Sequence, residues 1–139
     1  MKQYLTYSEK ETKDLAKKLA KNFQGGVIGL FGELGAGKTM FTQGFAQGLG
    51  IKEKIISPTF ILIRQHQIPN SNNFLFHVDL YRLEKLKDLK QLGLHDTWSN
   101  PKNIVLIEWA GKIKKILPKN TTKITIAKLE GNKRLITID

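Results

Sequence analysis

The sequence contains no cysteine among its 139 residues. This absence excludes a disulfide framework, a thiolate metal site and a cysteine nucleophile. No apolar run approaches the roughly 20 residues that a membrane-spanning helix requires, and residues 1–14 contain no apolar core of a signal peptide. The composition therefore predicts a soluble, cytoplasmic protein, and the length predicts one domain that spans residues 1–139.

Arginine is also scarce, because only three of the 23 basic residues are arginines. The formal net charge of +11 favours contact with nucleic acid, since cationic surfaces release counterions from phosphates. Bidentate recognition of phosphates, however, favours arginine over lysine. The charge alone leaves two interpretations open, namely lysine-rich faces that are simply solvated and a surface that contacts RNA.

The hydrophobic pattern of the first 50 residues alternates between helix and strand. Residues 8–22 predict a helix, because a serine and a glutamate have the spacing of a capping box before recurring leucines. Residues 25–31 are continuously apolar, which predicts a strand buried on both faces of a parallel sheet. Residues 38–49 predict a second helix, in which Gly44 and Gly48 share a face that we expect to approach the sheet closely.

The rest of the chain continues in the same manner. The patterns predict, in chain order, a strand within residues 54–67, a strand at 74–83, a helix that ends near Gly93, a buried strand at 103–109 and a hairpin around Gly131. The strand at 74–83 has a period of two, which places His77, Asp79 and Tyr81 on one unusually polar face.

Residues 32–39 read GELGAGKT and match the phosphate-binding loop pattern GxxxxGK(S/T). The glycines let backbone amides turn towards phosphates, and the following helix adds positive partial charge. In this pattern Lys38 reaches the β and γ phosphates, and the Thr39 hydroxyl ligates magnesium. The alternative is a glycine-rich turn that binds nothing. The residues expected at the nucleotide are Gly32, Glu33, Leu34, Gly35, Ala36, Gly37, Lys38 and Thr39.

The loop follows a predicted strand and precedes a predicted helix. This order predicts an α/β fold: a single P-loop NTPase-like domain with a mainly parallel central sheet, flanked by helices, and a C-terminal hairpin. The guanine-specific NKxD sequence is absent, so ATP is the expected nucleotide and Mg²⁺ the expected metal.

Two carboxylates are candidates for holding the metal or acting in catalysis. Glu108 ends the buried run IVLIE, and Asp79 lies in HVDLYR; an acidic side chain at the end of a strand next to a phosphate-binding loop commonly holds magnesium. The alternative for each is an exposed or helix-capping carboxylate. Thr59, in SPTF, is a candidate for sensing the γ phosphate or has only a local role. His77 reads as a packed or hydrogen-bonded histidine, since nothing in the sequence pairs it, and Trp109 reads as core or edge packing.

The segments GELGAGKT, SPTF, HVDLYRL, LGLHD and IEW occur in this order and at separations that closely resemble the bacterial TsaE (YjeE) proteins. The resemblance covers residues 5–139. It implies a small P-loop ATPase that is needed for threonylcarbamoyladenosine formation on tRNA. It also implies the partner proteins TsaD and TsaB, with tRNA contacted through their complex.

The resemblance also implies roles for individual residues. Thr39 and Glu108 are expected to hold magnesium, and Lys38, Asp79 and Thr59 to take part in catalysis, with Thr59 in a switch-like loop. Four further residues are expected around the nucleotide: Trp109 beside the site, and Glu9, Thr12 and Arg134 near the nucleoside.

The sequence leaves three functions open. The leading hypothesis is a weakly hydrolysing, partner-dependent ATPase. The second is a nucleotide-gated tRNA-binding module in which the lysine-rich faces carry the function. The third is a small-molecule kinase, which is disfavoured because such kinases usually bring arginines from a lid to the transferred phosphoryl group.

Overall fold

The computed structural model describes residues 1–56 and 63–139. Its strands are β1 (Lys2–Thr6), β2 (Gly26–Phe31), β3 (Ile63–Gln67), β4 (Phe74–Asp79), β5 (Ile104–Glu108), β6 (Thr122–Lys128) and β7 (Arg134–Ile138). Its helices are α1 (Glu9–Lys21), α2 (Lys38–Gly48), α3 (Leu89–Leu92) and α4 (Leu94–Ser99), with 3₁₀ turns at Leu86–Asp88 and Ala110–Ile113. The candidate Thr59 lies outside the described residues, as does part of the strand expected within residues 54–67.

The strands form one seven-stranded sheet in the order β1-β7-β6-β2-β5-β4-β3. β2 pairs in parallel with β5 and β6, and β5 pairs in parallel with β4. The outer pairs β1–β7, β6–β7 and β3–β4 are antiparallel. The predicted α/β fold, with a parallel centre and a C-terminal hairpin, is thereby confirmed. The edge strand β1 was not predicted from the sequence.

Helix α1 begins with the predicted capping box. The Ser8 hydroxyl accepts a hydrogen bond from the Glu11 amide at 3.1 Å. The Glu11 carboxylate in turn accepts one from the Tyr7 amide at 2.6 Å. The first bond satisfies a backbone donor that the first turn of a helix otherwise leaves unpaired, and the second ties the residue before the N-cap to α1. The local sequence therefore defines where α1 starts.

The glycines of α2 face α1 and not the sheet, so the expectation that they approach the sheet is wrong. A Cβ atom on Gly44 would lie 2.4 Å from the Lys13 carbonyl oxygen, and one on Gly48 would lie 2.5 Å from the Lys17 carbonyl oxygen. Both distances are far below van der Waals contact. The missing side chains therefore allow the backbones of α1 and α2 to touch.

The helix expected to end near Gly93 does end there, but it is short, because a 3₁₀ turn at Leu86–Asp88 precedes the four-residue helix α3. Gly93 ends α3, as the sequence predicts, and it does so with a left-handed conformation, φ 64°. Leu89 and Leu94 are buried on either side of it. The turn at Gly93 thus lets α3 and α4 each bury a leucine; the short helix α4 was not predicted from the sequence.

Apolar clusters cover both faces of the sheet. In β5, Ile104 and Leu106 belong to the cluster that includes residues of α1 and α2. Val105 and Ile107 alternate with them and belong to the cluster that includes residues of α3 and α4. The central strand is therefore buried on both faces, as its continuous apolar run predicts. In the described part of the chain, no helix is both long and apolar enough to cross a membrane.

Candidate nucleotide-binding site

The GELGAGKT loop connects β2 to α2 through backbone conformations that require glycine. Gly32 has φ 152° and Gly37 has φ 108°, a region that residues with a side chain rarely adopt. A Cβ atom on Gly32 would also lie 2.6 Å from the carbonyl oxygen of Ile126 in β6. The glycines therefore permit both the turn and its close packing against the neighbouring strand.

Lys38 is the cation at the centre of this loop. Its side chain is buried, with 5% of the residue exposed. Its Nζ donates hydrogen bonds to the carbonyl oxygens of Gly32 at 2.6 Å and Glu33 at 2.9 Å. It also lies 3.9 Å from the centroid of the Trp109 ring. Burial lowers the pKa of Lys38 from its ordinary value of 10.5, and the nearby carboxylates of Glu108 and Asp79 oppose that shift.

The two predicted carboxylates lie side by side at the ends of adjacent parallel strands. Asp79 and Glu108 are register partners in the β4–β5 ladder, and both are buried, at 7% and 2% exposure. The Thr39 hydroxyl donates a hydrogen bond to Glu108 Oε1 at 3.1 Å. Asp79 Oδ1 accepts one from the Tyr81 amide at 2.9 Å. The structure thus brings Thr39, Asp79 and Glu108 together next to Lys38.

His77 is a member of this cluster that the sequence did not pair. It is fully buried, and its Nε2 contacts Glu108 Oε2. Its Nδ1 is buried and has no hydrogen-bond partner among residues 1–56 and 63–139. The alternation in β4 indicated that His77 shares a face with Asp79. The sequence does not indicate that β5 lies next to β4, which is what brings Glu108 to the imidazole.

Trp109 lies directly over the loop lysine. It has a left-handed backbone conformation, φ 63°, which is uncommon for a bulky residue. Its ring also packs against Tyr81, with 5.1 Å between centroids. Trp109 therefore both contacts Lys38 and packs against a neighbouring ring; its place beside a bound nucleotide, which the resemblance implies, stays a prediction.

A pocket of about 240 Å³ adjoins the loop. Helix α1 contributes Glu9 and Thr12 to its lining, and the hairpin contributes Asn132 and Arg134. Arg134 Nε donates a hydrogen bond to the Ala36 carbonyl oxygen at 2.8 Å. The three residues expected near a nucleoside therefore surround one pocket, although they are far apart in the chain.

Two of the pocket's lining residues, Asn132 and Met40, were not predicted. Met40 follows the loop motif directly, so its position in the motif was the available signal. Asn132 carries no signal of its own, because only the hairpin geometry brings it to the loop. Of the remaining loop residues, Leu34 is 73% exposed, and Glu33 is bonded within the loop through its carbonyl oxygen.

The residues at the strand ends have the chemistry that magnesium requires. Mg²⁺ is usually held by one or two carboxylates together with phosphate oxygens and water. The Thr39 hydroxyl and the Glu108 carboxylate supply adjacent oxygen atoms, and Asp79 lies beside Glu108. Among the described residues, no group of three or more His, Asp or Glu side chains gathers to hold a metal by itself. This arrangement fits a metal that shares its ligands with a nucleotide.

A phosphate-binding loop between a buried parallel strand and a helix defines the class of P-loop NTPase-like α/β proteins. The chain belongs to the TsaE family: the family model described as "Threonylcarbamoyl adenosine biosynthesis protein TsaE" matches residues 6–136. This family acts in the biosynthesis of threonylcarbamoyladenosine in tRNA.

Individual relatives agree with the family assignment. The chain is 40% identical over 136 residues to the tRNA threonylcarbamoyladenosine biosynthesis protein TsaE of Bacillus subtilis, covering 95% of this chain and 81% of the relative. It is 38% identical over 133 residues to the protein of the same name from Rickettsia typhi, covering 94% and 90%. The crystal structure of Bacillus subtilis YdiB superposes with a TM-score of 0.78 at 34% identity, covering 99% of this chain and 83% of that one.

Proposed function

We propose that this protein binds MgATP at residues 32–39 and hydrolyses it slowly, and that TsaD and TsaB stimulate the hydrolysis during the modification of tRNA. The observation that carries the proposal is the position of Lys38. The ammonium group of Lys38 is buried at the mouth of the glycine loop. In the part of the chain that the structure describes, its hydrogen bonds go to two loop carbonyl oxygens, and these neutral acceptors can be exchanged for phosphate oxygens.

The proposed roles follow from the positions of the side chains. The loop amides and Lys38 bind the phosphates. Thr39 and Glu108 hold the magnesium ion, which when bound neutralises part of the phosphate charge. Asp79, buried next to Glu108, orients the attacking water or couples the site to the segment that contains Thr59. The pocket formed by Glu9, Thr12 and Arg134 takes the nucleoside.

The chain supplies few cations for the transition state of phosphoryl transfer. Arg134 is the arginine at the pocket, but its guanidinium group is already bonded to carbonyl oxygens of the loop and of its own hairpin. A missing arginine finger costs a P-loop hydrolase about 10³–10⁵ in turnover. We therefore expect slow hydrolysis by the chain alone, with a partner supplying charge or ordering the site.

The test is ATP hydrolysis by the purified chain, measured alone and with a TsaD–TsaB complex. We expect a low rate that the complex raises at least tenfold. Lys38→Ala is expected to abolish MgATP binding by calorimetry. Thr59→Ala is expected to keep binding and to lose most of the stimulation. Full-speed hydrolysis by the isolated chain, or equal MgATP affinity for a folded Lys38→Ala variant, would contradict the proposal.

A further inference from the structure

A second concave surface lies along the seam between α1 and α2, away from the loop. It is an open groove with a volume of about 750 Å³. Five lysines and one glutamate, Glu53, line it; the lysines are Lys13, Lys17, Lys21, Lys52 and Lys54. The groove is therefore strongly cationic, and no part of the proposed nucleotide chemistry uses it.

The lysines of α1 form a regular row. Lys13, Lys17 and Lys21 are four residues apart, so they recur about every 6 Å along one side of the helix. Lys13 and Lys17 are half-buried because their backbones lie against Gly44 and Gly48 of α2. Of these two glycines Gly48 also lines the groove, so α2 contributes no side chain to the groove at that position.

The segment after α2 supplies the opposite wall and is held firmly. Ile51 and Ile55 are both 4% exposed and belong to the hydrophobic core. The Ile55 carbonyl oxygen also accepts a hydrogen bond from Gln43 Nε2 at 3.1 Å. Because these isoleucines point inwards, Lys52 and Lys54 between them are exposed on a fixed segment.

Most of this positive charge is not neutralised within the protein. Within residues 1–56 and 63–139, only Lys17 of the five forms an ion pair, with Asp14 at 3.9 Å. Glu53 is engaged with His66 Nδ1 at 2.9 Å. Clustered lysines without acidic partners repel one another. The electrostatic free energy of the groove is therefore lowered when it binds a polyanion.

The composition of the groove distinguishes between possible polyanions. Protein interfaces depend on buried aromatic and arginine side chains, and lysine is depleted in them. The described lining contains no aromatic residue and no arginine. Base-specific RNA recognition needs stacking on aromatic rings, which the groove does not offer. A row of lysine point charges instead matches repeated backbone phosphates.

We propose that the groove formed by Lys13, Lys17, Lys21, Lys52 and Lys54 binds the phosphate backbone of tRNA directly and without sequence specificity. The family's role in tRNA modification makes tRNA the relevant polyanion. The proposal does not depend on ATP hydrolysis, because the groove lysines are separate from the residues that line the loop pocket.

The test compares two variants of the full chain with equal change in charge. The groove variant is Lys13→Gln, Lys21→Gln and Lys52→Gln. The control variant is Lys85→Gln, Lys87→Gln and Lys115→Gln, at exposed lysines outside the groove. Binding to a tRNA transcript is measured without nucleotide between about 50 and 200 mM salt, a range over which phosphate contacts weaken steeply. Circular dichroism and MgATP affinity verify that both variants are folded.

We expect the groove variant to lose about tenfold or more in tRNA affinity. Its slope of log affinity against log salt should fall by about 2 to 3, since each lost phosphate contact removes about 0.7 to 0.9. The control variant should stay within about threefold of the unchanged chain. Equal losses in both variants, or no tRNA binding by the unchanged chain at low salt, would overturn the proposal. Retained tRNA binding by a groove variant that no longer binds a TsaD–TsaB complex would overturn it in favour of a protein partner.

Discussion

Lys38 is the residue whose ionisation the site changes most clearly. Its pKa is lowered mainly by burial, whereas a bound triphosphate would raise it by placing negative charge nearby. Binding therefore takes up a proton wherever the pH lies between the two pKa values. We predict that MgATP affinity falls as the pH rises through the lowered pKa of Lys38 in the free protein, and that it keeps falling until the pH reaches the higher pKa of the bound state.

Calorimetry in buffers with different ionisation enthalpies measures this proton uptake directly. Lys38→Arg is the matched control, because a guanidinium group stays charged throughout that range and should give no uptake. A wild-type affinity that is independent of pH across the same window would show that Lys38 does not meet the phosphates.

His77 and Glu108 form the most deeply buried polar contact of the site. We predict that His77→Phe destabilises the fold by about 3 kcal/mol, because it leaves a buried carboxylate without one of its partners. His77→Gln retains a donor and is expected to lose less. Urea unfolding measures the stability, and MgATP titration measures whether either variant changes the affinity for the nucleotide with magnesium. Equal stability of the two variants would mean that packing and not the hydrogen bond is what His77 supplies.

At the scale of elements, the contact between α1 and α2 depends on glycine. A Cβ atom at Gly44 would lie 2.4 Å from a backbone oxygen of α1, and backbone cannot move aside cheaply. We predict that Gly44→Ala lowers the free energy of unfolding by about 1–3 kcal/mol, even though alanine favours helix. Chemical denaturation measures this change in the free energy of unfolding. Gly111→Ala is the control, because its added Cβ would meet only Phe31 ring atoms at 3.7 Å or more and should change stability little.

The C-terminal hairpin links a distant part of the chain to the phosphate loop. Arg134 at the start of β7 bonds to Ala36, 98 residues earlier. β7 also pairs with β1, whose end leads into α1 and the pocket residues Glu9 and Thr12. The three elements therefore support the same pocket from one edge of the sheet.

At the scale of the whole molecule, a ligand that binds only the folded state stabilises it. We predict that MgATP at about 100 times its Kd adds about 2.7 kcal/mol of stability, which is a rise of roughly 5–10 °C in Tm for a chain of this length. Scanning calorimetry with ATP, with and without magnesium, separates the stabilisation by the nucleotide from the additional stabilisation by the metal.

Variants of the two carboxylates at the strand ends separate the magnesium-dependent part of this rise in Tm from the magnesium-independent part. Glu108→Ala should lose the part of the shift that requires magnesium and keep the part that does not. Asp79→Ala should keep most of both parts and instead slow the partner-stimulated hydrolysis. If both variants keep the full shift and the wild-type rate, neither carboxylate acts on the nucleotide.

The features that sequence predicts well are those decided within a few residues. The capping box at Ser8, the GELGAGKT loop, the helix end at Gly93 and the hairpin at Gly131 each depend on local backbone chemistry. The continuous apolar run of β5 also predicted its complete burial. Strand β1 escaped prediction because it is short and only partly buried, and its pairing with β7 stabilises it.

The sequence by itself determined the phosphate loop, the class of fold and the acidic residues available to the site, because motif spacing and hydrophobic period are local properties. Only the tertiary structure decided that β5 lies between β2 and β4. That order brings His77, Asp79 and Glu108 together beside Thr39. The tertiary structure also decided that the glycines of α2 contact α1, and this contact shapes the lysine groove. The physical reason is that strand order and helix contacts depend on the packing of the entire core, which no single segment encodes.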